Sequence, residues 1–268
     1  MRLKLFVASF FFSSTLLFAQ SAFDGTWHFN MDSAQVAGND RISVRNGVYR
    51  CDSCVPKEEV KMDGKDHPLK GDLRADTINV REINDREIEV QYKKAGKLIN
   101  TNKWTASPDG KSVTVEWENF FENGQKANGK VTETRVGDAP GNAMLASSNS
   151  KSSSKITGEW KPEKLEASEN VSTYTYKMTN NTFSMSSPQG TSYEAKLDGS
   201  DAPYKGDPGT TTVSVKKLDA NHVDEYDKHD GKVIGIAHLS VDPDGKHLKL
   251  TYDDKLQGTT FNGTAEKQ

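Results

Sequence analysis

The sequence predicts an all-β protein, two consecutive antiparallel up-and-down meander barrels joined by a flexible Ser-rich linker. Three observations predict it. Short apolar–polar alternations recur between Asn-Gly, Asp-Gly and Pro-Asp-Gly turns along most of the chain. The second half copies the first at a constant offset. A stretch without periodicity, "GDAPGNAMLASSNSKSSSK", separates the copies. The implied organisation is a signal peptide over residues 1–22, a barrel over 23–137, a linker over 138–155 and a second barrel over 156–268.

The amino-terminal segment reads as an export signal. Arg2 and Lys4 precede the apolar run "LFVASFFFSSTLLFA", and small residues follow at Ala19, Ser21 and Ala22. Cleavage is expected after Ala19 or Ala22, placing the chain in a periplasm or outside the cell. With Arg2 and Lys4 removed, the 35 basic side chains of the full chain become 33 against 38 acidic, a net charge of −5. That balance, with both signs interspersed, argues against a nucleic-acid partner. After cleavage no integral membrane segment is expected.

The strands follow in order. Ile42–Arg45, an Asn-Gly turn and Val48–Cys51 form a hairpin signal. Ile78 and Val80, then Ile88, Val90 and Tyr92, then Val113, Val115 and Trp117 alternate with polar residues. The copy repeats the scheme with Val213, Val215, Val223, Leu248 and Leu250. "MDGKDHPLKG" at Met62 aligns with "LDGSDAPYKG" at Leu197, an offset of 135 that also relates Gly96 to Gly231 and Pro108 to Pro243. Closure into barrels is favoured because it leaves no exposed edge strand. At this offset Val90 and Tyr92 correspond to Glu225 and Asp227. Because an unpaired buried charge is costly, the expectation is a one-residue shift that turns Tyr226 inward instead.

Each copy opens on Gly-x-Trp, as "FDGTWHFN" and "ITGEWKPE", and ends on a basic residue in its last strand, Arg135 in "KVTETRVG" and Lys267 in "NGTAEKQ". This resembles the lipocalin and fatty-acid-binding-protein superfamily, whose first strand carries Gly-x-Trp. There the Trp plugs one barrel end beneath a stacked Arg or Lys. The resemblance matches Gly25, Trp27 and Arg135 in copy one, and Gly158, Trp160 and Lys267 in copy two. It lacks the Thr-Asp-Tyr loop and the carboxy-terminal helix of secreted lipocalins. What it implies is a protein without enzymatic activity or cofactor that binds a small hydrophobic molecule. The rival expectation is an envelope structural or protein-interaction module whose barrels are filled by their own side chains.

Few residues offer other chemistry. Cys51 and Cys54 in "YRCDSCVP" have no counterpart in copy two, and in an exported chain they are expected to form a local disulfide. A redox pair or a zinc site are the alternatives, and His67, the nearest His, has no companion at ligand spacing. His222, Asp224, His229 and Asp230 form a cluster that reads as a solvated hairpin before it reads as a cation site. No catalytic residue is expected, since Gly-x-Ser-x-Gly and glycine-rich phosphate loops are missing and the Asp-Gly pairs sit at turns. Asn170, Asn180 and Asn262 head sequons that matter only in a glycosylating host.

Overall fold

The computed structural model describes residues 21–138 and 154–268. Residues 1–20 of the expected signal peptide and most of the expected linker lie outside the described residues. The strands of the first half are β1 (Gly25–Phe29), β2 (Gln35–Val36), β3 (Asp40–Arg45), β4 (Val48–Cys51), β5 (Glu58–Lys61), β6 (Asp63–Pro68), β7 (Thr77–Asn84), β8 (Glu87–Lys94), β9 (Lys97–Ala106), β10 (Ser112–Phe120) and β11 (Lys126–Gly137). Those of the second half are β12 (Gly158–Ala167), β13 (Thr173–Met178), β14 (Thr182–Ser186), β15 (Ser192–Lys196), β16 (Asp198–Pro203), β17 (Thr212–Lys217), β18 (His222–His229), β19 (Lys232–Val241), β20 (His247–Asp254) and β21 (Thr259–Lys267). The only α-helix among the described residues is the single turn α1 (Glu169–Ser172). No described helix is long and apolar enough to cross a membrane.

These strands close into two nearly complete antiparallel barrels, in which inward residues alternate with outward ones. Barrel 1 runs β5-β4-β3-β12-β11-β10-β9-β8-β7-β6, and barrel 2 runs β15-β14-β13-β1-β21-β20-β19-β18-β17-β16. The two ends of each path are consecutive in the chain, so the sheet curls until they adjoin at Met62 in one barrel and Leu197 in the other. The Asn-Gly hairpin forms with Asn46 at φ 50° and Gly47 at φ 72°, the left-handed pair that a tight two-residue turn requires. Ile78, Val80, Ile88 and Val90 are fully buried, each contributing about 1.5–3 kcal/mol by removal from water.

The expectation that each half supplies all of its own barrel is corrected. The two copies exchange their first strands. β1 pairs with β13 and β21, so the first Gly-x-Trp strand belongs to barrel 2. β12 pairs with β11 and β3, so the second belongs to barrel 1. The reason lies in the connections. After β1 the chain continues along β21, with Asn30 N donating to Thr264 O, Ala37 N donating to Thr260 O, and β2 paired to β21 between them. It cannot then fold back beside β3 as a local hairpin would. The place beside β3 is filled by β12, which stays on barrel 1 as far as Ser168, whose N–H donates to Asn128 O.

Candidate functional site

The exchange redistributes the two barrel-end seals. Trp27 and Trp160 are both fully buried. Each indole N–H donates to the carbonyl four residues earlier, Phe23 and Ile156, at 2.8 Å. Lys267 Nζ lies 4.8 Å from the Trp27 ring centre, and Arg135 Cζ lies 4.1 Å from that of Trp160. The expected pairings, Trp27 with Arg135 and Trp160 with Lys267, are therefore wrong in their partners. The triads are Gly25, Trp27 and Lys267, and Gly158, Trp160 and Arg135. Arg135 also donates to the carbonyls of Gly110, Thr157 and Lys155, and Lys267 to that of Ala22. Gly158 is required because a Cβ there would stand 2.3 Å from Arg135 Nη1. Gly25 is required by its φ of 138°.

Barrel 1 contains a cavity of about 260 Å³. Ile42, Val90, Val115 and Trp104 supply its apolar wall. Trp117 reaches across β11 over Gly129, where a Cβ would stand 2.2 Å from the indole. The Cys51–Cys54 disulfide, Tyr49, Tyr92 and Asn102 complete the lining with two acids, Asp40 and Glu133. The disulfide forms as expected, so its sulfurs are not thiolate ligands, although Glu58 lies beside them.

The two acids come from strands on either side of β12: Asp40 opens β3 and Glu133 lies in β11. Their carboxyls face each other, and Ser53 Oγ donates to Asp40 Oδ1 at 3.1 Å. Burial pushes both carboxyls up, Glu133 further still because it also faces the charge of Asp40. Glu133 is 2 % exposed, and its Oε2 has no hydrogen-bond partner. Sequence reasoning missed this pair. Asp40 follows an Asn and precedes the first clear alternation. Glu133 stands among Thr and Lys and gives no sign that its side faces inward. Glu58, also buried, accepts from the Tyr92 hydroxyl at 3.0 Å and is raised by burial to about 7.

In barrel 2 the expected register shift does not occur. Val223, Glu225 and Asp227 face inward and Tyr226 is only part-buried. Partners meet part of the cost, and Asp227 Oδ1 is left without one. Tyr193 donates to Glu225 at 2.6 Å and Tyr252 to Asp227 at 3.2 Å, while burial and mutual repulsion raise the Glu225 carboxyl well above its ordinary range. A network of rings packs in the interior beside them. Phe23 contacts Phe183, from which one branch runs through Tyr176 to Tyr174 and another through Tyr193 to Tyr204, at centroid distances of 5.4–6.5 Å.

The histidine cluster is not assembled into one site. His222 Nδ1 sits 2.8 Å from Asp219, Asp224 takes His238 at 2.7 Å, and His229 Nδ1 lies 3.0 Å from the Gly209 carbonyl. His67 pairs with Asp63 at 2.8 Å. No known protein family, no curated protein and no solved structure matches the chain.

Proposed function

We propose that this is an exported, non-enzymatic binding protein of lipocalin-like design, in which barrel 1 holds a small, largely apolar ligand and barrel 2 serves as scaffold. The observation that carries the reading is the contrast between the barrels: a lined cavity of about 260 Å³ in one, a packed network of rings in the other. That volume lies just below the usual range for drug-sized ligands, so the ligand is on the order of one ring with a short side chain. Trp104 and Trp117 line the cavity and report its filling. Titration with 2-phenylethanol and with phenethylamine should change their fluorescence saturably for at least one probe. Val115→Phe, which fills the cavity, should abolish the change. If neither probe saturates the wild-type protein, the binding reading fails.

Two contacts bear on export. Ala22 O accepts from Lys267, and Phe23 N donates to Ser21 Oγ. Cleavage after Ala19 keeps both, whereas cleavage after Ala22 removes them. Sequencing the amino terminus of secreted protein should therefore begin at Gln20.

A further inference from the structure

The ionisable groups that line the barrel 1 cavity carry one sign. Among the described residues its walls include no Lys, Arg or His. Arg41, whose charge reaches Asp40, lies outside the lining and donates to the Asp52 carbonyl, and Arg135 is spent on the Trp160 face and on three backbone carbonyls. A carboxylate-headed ligand would find no cation there and would meet two acids. Those acids are not a solvated surface cluster. Glu133 is 2 % exposed, lines the cavity and leaves Oε2 without a partner. A buried carboxyl with an unpartnered oxygen is costly and rare, so one on a cavity wall points to a ligand that donates to it.

Two kinds of donor could fill that role, a neutral hydroxyl and a cation. The surroundings favour the cation. The carboxyls of Asp40 and Glu133 face each other. A positive group placed between them would stabilise both in their ionised form as well as donate to both. Trp104, Trp117 and Tyr92 stand around the same space, and aromatic faces attract an ammonium within about 6 Å of the ring. A bare divalent ion fits less well, because calcium takes about 6–8 oxygen ligands and the lining offers two carboxyls and one amide.

We propose that the cavity of barrel 1 takes a small organic amine, its ammonium seated on the Asp40–Glu133 pair and its apolar body among Trp104, Trp117 and Tyr92. This rests on the reading of barrel 1 as a binding barrel and specifies the headgroup. The ammonium supplies three N–H donors, enough for a Glu133 oxygen, for an Asp40 oxygen and for the Asn102 amide oxygen.

Three probes of one shape and different charge test it: phenethylamine, 2-phenylethanol and 3-phenylpropionate, each titrated into the full chain by calorimetry and Trp fluorescence. Phenethylamine should bind at least tenfold more tightly than 2-phenylethanol, and 3-phenylpropionate should bind most weakly. Glu133→Gln and Asp40→Asn should each remove most of the tenfold preference for the amine over 2-phenylethanol, read as the ratio of the two affinities within each variant. Equal affinity for amine and alcohol, or tighter binding of the carboxylate, would overturn the amine assignment and leave the binding barrel standing. Failure of all three probes to bind would overturn both. The wild-type ranking needs no variant, so a variant that fails to fold does not weaken the test.

Discussion

At the scale of single residues, the seals have the sharpest consequence. Trp27 contacts Lys267, and Trp160 contacts Arg135, so the energetic partners of each Trp lie in the other copy's numbering for Trp27 and across the linker for Trp160. A double-mutant cycle reads this directly. Trp27→Phe with Lys267→Met should show a coupling of about 0.5–2 kcal/mol, the range of a cation–π contact. Trp27→Phe with Arg135→Met should show none beyond error. Chemical denaturation supplies all four stabilities, and coupling to Arg135 instead would refute the exchange. Sequence reasoning found the members of both triads but not their grouping. The motif states what a seal needs, and both copies need the same thing. Nothing in Gly-x-Trp records which basic residue it will meet. The choice is made by residues 30–39, whose hydrogen bonds run along β21.

At the scale of strands, corresponding elements keep a buried acid–tyrosine pair while trading the two residue types. In barrel 1 the acid Glu58 stands on β5 and its Tyr92 on β8. In barrel 2 Tyr193 on β15 faces Glu225 on β18. The alternation of β18 was legible, and its inward acids were misjudged because the hydroxyls that satisfy them come from strands far away in sequence. Burial holds Glu58 protonated in the folded chain up to about pH 7, whereas an exposed glutamate titrates near 4.5. Between those values the folded state keeps a proton that the unfolded chain releases. Stability from this group is therefore full below about pH 4.5 and declines as pH rises to 7, by on the order of 3 kcal/mol. Glu58→Gln retains an acceptor for Tyr92 and should flatten that decline. Urea unfolding of both proteins at pH 5 and pH 7.5 measures it. An unchanged slope in the variant would show that Glu58 is ionised in the fold.

At the scale of the whole molecule, each half holds a strand of the other. Besides the exchanged strands, Arg74 of the barrel 1 loop before β7 pairs with Asp207 of the barrel 2 loop before β17 at 3.2 Å, and Asn123 donates to the Pro188 carbonyl at 3.2 Å. These surface contacts alone would be worth little. The exchanged strands are worth much more, since removing either buried Trp should cost about 3–5 kcal/mol. A protease site placed within residues 139–153 should accordingly give two fragments that stay together on gel filtration after complete cleavage. Fragments that separate under native conditions would mean that each seal closes its own half.

The repeat, the all-β class and the disulfide were legible because they depend on local pattern: an offset, a period of two, a short Cys spacing. The cavity was not legible, because it is what remains after side chains from six strands have been placed. The exchange also has a consequence in time. A chain made from its amino end presents Trp27 with Arg135 after 108 residues, whereas Lys267 arrives only after 240. The first copy can thus close on its own seal before the rest exists, and loop closure favours that shorter path. Reaching the final arrangement then requires the provisional barrel to reopen and hand over its first strand. The duplication that provides two interchangeable seals also builds a competitor into every act of synthesis.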